Sequence, residues 1–474
     1  MFVNRTKELS QLEMRYHENK AEFVVVYGRR RVGKTVLLKQ FTQEKEHVYF
    51  LADLRPEAEQ LRYFTQQLYQ ITQEPMLALE SFSSWDSALT YLVQVCQDRR
   101  LIVVIDEYPY LCSVNPAFPS ILQRIWDERL KISRIFLVLC GSSISMMERE
   151  VLGRTSPLYG RRTSQLLVQP MDFFDAQQFF PDRDIREQIE TYAIAGGIPA
   201  YLEQFEPKRK LWGDVRDIVL RKDGFLYDEV SFLLMEELRE PRNYFAILSA
   251  IASGKTRLNE IAQEASLPGP TVGRYLDILR DLRILRRVLP VTENLPHKSK
   301  KGLYKIIDPF FRFWFRFVYP NRGFLEEEDI DFVLLNKIKP HFTDFVAQVF
   351  EEVSAQLLSK LNSANRLPFK AARIGAWWSR TEEIDVVALS DDSAQQAPHL
   401  SAVLVAECKW TQKPVGTNIL DDLKTKAQIL TKEIPVGQIH YALFSRSGFT
   451  EALQSIADAE GIFLFTLDDF KKIK

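Results

Sequence analysis

The chain of 474 residues carries 62 lysines and arginines against 63 aspartates and glutamates, a net charge of −1, and is 46% hydrophobic and 26% charged. That length exceeds one hydrophobic core and points to two to four domains. The composition is that of a soluble globular protein. No apolar run is long enough to span a bilayer, and Met1-Phe2-Val3-Asn4-Arg5 lacks the apolar core of a signal peptide, so no membrane association and a cytoplasmic location are expected. Cys96, Cys112, Cys140 and Cys408 are scattered without a C-x-x-C pair, which excludes a disulfide frame and a zinc knuckle as organising features.

The first element in chain order is the apolar run Phe23–Tyr27, expected as a strand. It leads into Gly28-Arg29-Arg30-Arg31-Val32-Gly33-Lys34-Thr35, and Val36 to Phe41 can continue as a helix. This is a phosphate-binding loop in its strand–loop–helix setting. Its backbone N–H groups converge on an anion at a helix N-terminus. Lys34 is expected to reach the β- and γ-phosphates of ATP, and the Thr35 hydroxyl to sit on Mg²⁺. Further strands are expected at 47–52, 101–106, 135–140 and 165–168, alternating with amphipathic stretches as in a parallel sheet wrapped by helices. The third run ends in Asp106-Glu107, with Asp106 placed for Mg²⁺ and Glu107 for polarising the attacking water. The fourth ends in Gly141-Ser142-Ser143, where Ser142 or Ser143 either senses the γ-phosphate or caps a helix. Arg154, Arg161 and Arg162 follow in a Gly-, Pro- and Ser-rich loop. An arginine donated in cis or from a neighbouring subunit would stabilise charge during hydrolysis, with Arg161 and Arg162 the leading candidates.

Residues 171–238 are expected as a helical lid, broken at Gly196-Gly197-Ile198-Pro199. Helices are expected at 242–253, 258–265 and 271–283, followed by apolar Ile284-Leu285 and Val288-Leu289, a basic loop and Leu303–Ile307, a winged helix-turn-helix pattern over 239–310. From Arg242 to Arg312 there are 13 Lys+Arg and 6 Asp+Glu, a local net of +7. Arg274, Arg280, Lys298, Lys300 and Lys301 suit phosphate contacts with DNA. Alternatively, the winged helix packs against protein with its charges solvated. The aromatic stretch Pro309–Phe317 is expected to be buried as an interdomain helix, although base stacking is conceivable.

Residues 311–474 contain linker helices and a second α/β unit. Phe345–Leu358 is amphipathic and carries Glu351; Ile384–Leu389 and Ala402–Ala406 read as strands, the second ending in Glu407-Cys408-Lys409. Alternation puts Glu407 and Lys409 on one face. Asp385 and Glu407 are expected to hold Mg²⁺ on hard oxygens, with Glu351 completing the shell and Lys409 orienting or deprotonating water.

Taken together, the chain resembles the archaeal-type ATPase family of the P-loop ASCE class, whose members join such an ATPase to a winged helix and a domain similar to the PD-(D/E)xK nucleases. The resemblance rests on Phe2-Val3-Asn4-Arg5 with Glu8-Leu9, Gly28–Thr35, Leu101–Tyr108, Gly141-Ser142-Ser143, Gly196–Pro199, Asp308-Pro309 with Phe313-Trp314, Trp377-Trp378 with Glu383-Ile384-Asp385, and Glu407-Cys408-Lys409-Trp410. It implies an α/β multidomain fold, a parallel-sheet ATPase with a C-terminal restriction-endonuclease-like domain. It also implies ATP and Mg²⁺ as cofactors, a contact from Arg5 near the nucleotide, and nuclease ancestry through Glu351, Asp385, Glu407 and Lys409. Glu382-Glu383 precedes Ile384-Asp385, which leaves open which upstream acid joins the metal. Two functions follow: an ATPase that binds DNA and cleaves it with Mg²⁺, or a nucleotide-dependent switch or transcription-type regulator with a non-cleaving C-terminal domain. A third is a protein-interaction ATPase, acting with a protein partner or as a homo-oligomer.

Overall fold

The structure, a computed structural model, describes residues 3–238, 241–293, 299–391 and 400–471. Phe2 and Lys298, both singled out above, lie outside the described residues. The chain divides into two compact units: Met1–Pro170 with Ile198–Ala200, and Met171–Gly197 with Tyr201–Lys474. The segments 171–238, 239–310 and 311–474 thus share the second unit, apart from Ile198–Ala200.

The first unit is built on five parallel strands: β1 (Glu22–Tyr27), β2 (His47–Leu51), β3 (Ile102–Asp106), β4 (Phe136–Gly141) and β5 (Ser164–Leu167), in the order β2-β3-β4-β1-β5. The three central strands β3, β4 and β1 are buried along their whole length, which is why they read as unbroken apolar runs and not as alternation. Insertion of β4 between β1 and β3 brings the C-terminal ends of all three side by side. One face of this sheet carries a core in which Trp85 packs edge-on against Phe50 and Phe118.

In the second unit, helices Pro241–Ala252, Leu258–Glu264 and Gly269–Asp281 precede an antiparallel ribbon of β6 (Leu285–Val288) and β7 (Leu303–Ile306). Val272, Tyr275, Leu276 and Leu279 form the buried stripe of the third helix. Pro309–Val318 is buried almost throughout, with the Trp314 indole donating to the Tyr227 carbonyl (2.7 Å); burial removes these rings from any role in base stacking. A 25-residue helix, Lys339–Ser363, then packs on a mixed sheet of β8 (Ala371–Trp378), β9 (Glu383–Ser390), β10 (Leu400–Lys409), β11 (Val436–Ser445) and β12 (Phe463–Thr466). The order is β12-β11-β10-β9-β8; β8, β9 and β10 pair antiparallel, and β10, β11 and β12 pair parallel. Among the described residues, no helix is long and apolar enough to cross a membrane.

Candidate functional site

The loop Gly28–Gly33 leaves β1 and runs into the helix Lys34–Thr42. Gly28 has φ +154°, and a Cβ there would lie 2.4 Å from the Val168 carbonyl oxygen just beyond β5, so only glycine lets the two chain segments approach. Lys34 is buried, and its ammonium donates to the carbonyls of Gly28 (2.8 Å) and Arg29 (3.1 Å), folding the side chain back across the loop. Burial pulls its pKa below the ordinary lysine value, against the opposing pull of Glu107 and Asp106. Arg5 is buried as well; it donates to the Val32 carbonyl (2.8 Å) and pairs with Glu8 (3.0 Å), bracing the loop from the N-terminal segment. Arg30 donates to the Tyr110 hydroxyl (2.8 Å), whereas Arg31 and Val36 are exposed.

At the end of β3, Asp106 Oδ2 accepts the Thr35 hydroxyl (2.9 Å) and the Tyr49 hydroxyl (2.6 Å), while Oδ1 accepts the Glu107 N–H (3.0 Å). Two hard oxygens, one from the loop and one from the strand end, are therefore adjacent, a set suited to Mg²⁺. Burial first, and then the Asp106 charge, raise the Tyr49 phenol far above its ordinary pKa, so it remains a donor. Glu107 adopts φ 52°, a left-handed conformation that costs roughly 1–2 kcal/mol. Ser142, at the end of β4, holds its carboxylate through the hydroxyl (2.8 Å) and the backbone N–H (3.3 Å). The Ser142 hydroxyl is thus committed to Glu107, and Ser143 occupies the N-cap of Ile144–Met147 without a side-chain cap bond.

Arg161 and Arg162 are not brought to this loop within their own unit. Thr163 bonds the Phe23 backbone at the start of β1, so both arginines lie at the opposite end of the sheet, roughly 16 Å of strand from Gly28. Arg161 is clamped there on Asp127 (2.9 and 2.7 Å) and on the carbonyls of Pro157 and Tyr159, a structural tie that corrects the expectation of a finger in cis. Arg154 is exposed.

A second cluster sits on β9, β10 and the helix Lys339–Ser363. Asp385 Oδ2 accepts the Cys408 N–H (2.8 Å), which locks the ends of β9 and β10 in register. Glu407 is buried, and its Oε1 accepts Lys409 (2.7 Å) and Lys426 (3.1 Å) while Oε2 also accepts Lys426 (3.1 Å). Burial works against the Lys409 ammonium, but Glu407 outweighs it and holds Lys409 protonated; as built, Lys409 is a fixed charge and not a base. Burial and then Glu407 raise the Asp385 carboxyl to about 6, with the Cys408 N–H opposing. Burial and then Asp385 raise Glu351 to about 8. Asp385 thus feels Glu407, and Glu351 feels Asp385, but among the described residues no three His, Cys, Asp or Glu side chains converge as a metal shell, so the expected three-carboxylate set is not assembled. The Asp385–Glu407 pair nevertheless fits Mg²⁺, which is commonly held by one or two carboxylates with water and phosphate supplying the rest. Of the basic residues on the helix Gly269–Asp281, Arg280 pairs with the exposed Asp277 (2.8 Å) and Arg274 lies over the Tyr275 ring. Lys301 is shared between Glu293 (3.3 Å) and Glu433 (3.7 Å).

Three residues at these sites escaped the sequence reading. Tyr49 alternates with buried Val48 and Phe50, so its face of β2 was legible but its hydroxyl's target was not. Lys426 flanks the buried stripe Leu420, Leu423, Ala427 and Leu430 of helix Thr417–Glu433, a position that only tertiary contact makes significant. Tyr110, which receives Arg30, carries no motif.

Comparison with known proteins agrees with the first unit. A family described as an ATPase domain predominantly from Archaea matches residues 2–205. A domain of unknown function matches 186–307, and a family described as archaeal and bacterial proteins of unknown function matches 314–424. An uncharacterized protein of Methanocaldococcus jannaschii is 39% identical over 410 residues, covering 86% of this chain and 88% of that protein. An uncharacterized ATP-binding protein of the same organism is 56% identical over 46 residues, 10% of this chain and 78% of that protein. Among solved structures, the Walker-type ATPase PABY2304 of Pyrococcus abyssi aligns with a TM-score of 0.48 at 22% identity, over 66% of this chain and 96% of that one. The chain belongs to the family of P-loop ATPases found predominantly in Archaea, and is an ATPase.

Proposed function

We propose that this ATPase binds DNA and cleaves it with Mg²⁺ through its C-terminal sheet. In the nucleotide site, Lys34 leaves its two carbonyls for the β- and γ-phosphates. Thr35 and Asp106 would hold Mg²⁺, which would supply charge stabilisation at the phosphates, and Glu107, released from Ser142, would polarise the water that attacks the γ-phosphorus. Helices Pro241–Ala252, Leu258–Glu264 and Gly269–Asp281 with the β6–β7 ribbon are read as a winged helix, the DNA-binding element, and the unit around β8–β12 as a nuclease-like domain.

The observation that carries the cleavage reading is the meeting of Asp385, Glu407 and Lys409 at adjoining ends of antiparallel strands, with the Asp385 carboxyl raised by burial and then by the charge of Glu407. Buried carboxylates are held by paired cations or by a metal. A metal there would supply charge stabilisation at the phosphoryl group. Asp385 and Glu407 would hold it, and Lys409 would offset the growing negative charge on phosphate. Water provides the oxygen of the new bond to phosphorus, one ester P–O bond breaks, and the leaving oxygen takes up a proton.

A second reading, a nucleotide-dependent switch without cleavage, is favoured by one feature: Glu407 is already neutralised by two ammonium groups. The test is cleavage of single- and double-stranded DNA with Mg²⁺ or Mn²⁺, with and without ATP, by the wild type, Lys409→Ala and Lys34→Ala. Cleavage that disappears in Lys409→Ala supports the nuclease, and its response to Lys34→Ala reads out ATP coupling. ATP hydrolysis without cleavage under any condition favours the switch.

A further inference from the structure

The β6–β7 ribbon and the carboxylate cluster are built against each other inside the second unit. Val291, just after β6, donates its N–H to the Ala376 carbonyl on β8 (2.9 Å), and the Trp378 indole donates to the Lys301 carbonyl just before β7 (3.2 Å). At the level of the strands themselves, Arg286 and Lys305 are direct cross-strand partners, so their side chains share one face of the ribbon. That face meets the helix Lys339–Ser363: Arg286 bonds Glu352 Oε1 (3.0 Å), and Arg312 takes Oε2 of the same carboxylate (2.7 Å). Glu352 is thereby used up by two guanidinium groups, and its neighbour Glu351 is the acid that feels the charge of Asp385.

Among the described residues, Lys305 differs from Arg286, Arg312, Lys409 and Lys426. Arg286 and Arg312 are spent on Glu352, and Lys409 and Lys426 are spent on Glu407. Lys305 is half-buried, its charge acts on both Glu351 and Glu352, and among the described residues its ammonium has no hydrogen-bond or ion-pair partner. A lysine is a compact point charge with three donors, suited to a phosphate oxygen that arrives with a ligand.

We propose that the candidate cleavage site is composite, with Lys305 of the β6–β7 ribbon supplied to it as the uncommitted cation that positions the backbone phosphate of a bound nucleic acid. This rests on the reading that the Asp385–Glu407 cluster acts on phosphodiesters. It deepens that reading by making the ribbon and the carboxylates one continuous surface. Lys305 is a positioning residue; the charge at the reacting phosphate remains the task of Lys409.

The experiment compares wild type, Lys305→Gln, Lys305→Arg and Lys409→Ala in the full chain. Binding of end-labelled duplex and single-stranded DNA is measured by anisotropy in EDTA over a series of salt concentrations, and cleavage is measured in Mg²⁺. Lys305→Gln is expected to lower the slope of log K against log salt by about one and cleavage by roughly ten- to hundredfold, with ATP hydrolysis unchanged; Lys305→Arg restores the slope. A slope unchanged in Lys305→Gln overturns the proposal whether or not cleavage falls, because a purely structural lysine would leave it untouched. If Lys409→Ala meanwhile abolishes cleavage, the phosphodiester reading stands without Lys305. Wild type that neither binds nor cleaves DNA overturns both.

Discussion

Tyr49→Phe removes one oxygen and leaves the β2 packing intact. In the structure that oxygen donates to Asp106 Oδ2 at 2.6 Å, sharing the acceptor with Thr35 at 2.9 Å. A hydrogen bond to a charged group contributes about 1.5–3 kcal/mol, which converts to roughly ten- to hundredfold. Deleting a partner of a metal-binding carboxylate has a similar cost, about 10–100-fold in affinity or activity. The loss should fall on the step that needs Asp106 correctly aimed. Mg²⁺-dependent ATP turnover in Tyr49→Phe is therefore expected to drop by about ten- to hundredfold, while nucleotide affinity in EDTA stays within about twofold, because no phosphate contact is touched. Steady-state hydrolysis and fluorescent-nucleotide titration measure the two quantities. Turnover equal to wild type would refute the role of Tyr49; equal losses in EDTA binding and turnover would show that the loop itself had moved.

Lys34→Ala should abolish ATP hydrolysis and weaken nucleotide binding, because it removes the ammonium that lies folded across the loop on the carbonyls of Gly28 and Arg29; calorimetric nucleotide titration and turnover check this together. Gly197→Ala should fail to fold stably or lose at least about 3 kcal/mol in urea unfolding, because its Cβ would stand 1.9 Å from the Met171 carbonyl oxygen, well beyond ordinary overpacking. Arg183→Met should cost about 3 kcal/mol, because it leaves Asp214, a buried acid 2.6 Å from the Arg183 guanidinium, with only the longer ion pair to Arg209 (3.8 Å). Stability should also depend on pH through Glu351 and Asp385. Both are raised in the folded protein, Glu351 to about 8 and Asp385 to about 6, so the folded state holds more protons than the unfolded one from about pH 4 to about pH 8. Their contribution is complete below that window and is lost as pH rises through it. Glu351→Gln should flatten the decline seen in denaturant midpoints across this range.

The parts of the fold that were legible in the sequence were those in which one local rule acts alone. β1, β3 and β4 are buried on both faces, so each appears as an uninterrupted apolar run, and the loop after β1 and the acids after β3 stand where a parallel sheet exposes its strand ends. The helices at 241–281 were readable because each carries a single apolar stripe. What was illegible depends on which of several equivalent polar groups meets which. Ser142 was visible at the end of β4, but its bond to Glu107 depends on β4 lying beside β3, a matter of sheet order and not of composition. Arg161 looked available because loops rich in glycine and proline carry no periodicity; the neighbour that claims it, Asp127, is 34 residues away.

The same reasoning explains what could be read of the C-terminal acids and what could not. Alternation along β10 dictates that Glu407 and Lys409 share a face, and the 2.7 Å bond between them follows from that period. No period relates β10 to the helix Thr417–Glu433, which brings Lys426 onto Glu407, or to β7, whose Lys305 charge acts on Glu351. These two lysines change the chemistry: Lys426 makes Glu407 a neutralised carboxylate, and Lys305 lowers the cost of ionising Glu351. Lys426→Met separates the two readings of the domain. If Lys426 only neutralises an idle acid, its removal leaves Glu407 with Lys409 alone, and unfolding stability should fall by about 1–3 kcal/mol whether or not Mg²⁺ is present. If a cation belongs between Asp385 and Glu407, the loss of a competing ammonium should strengthen metal binding, and millimolar Mg²⁺ should recover the stability that the substitution removes.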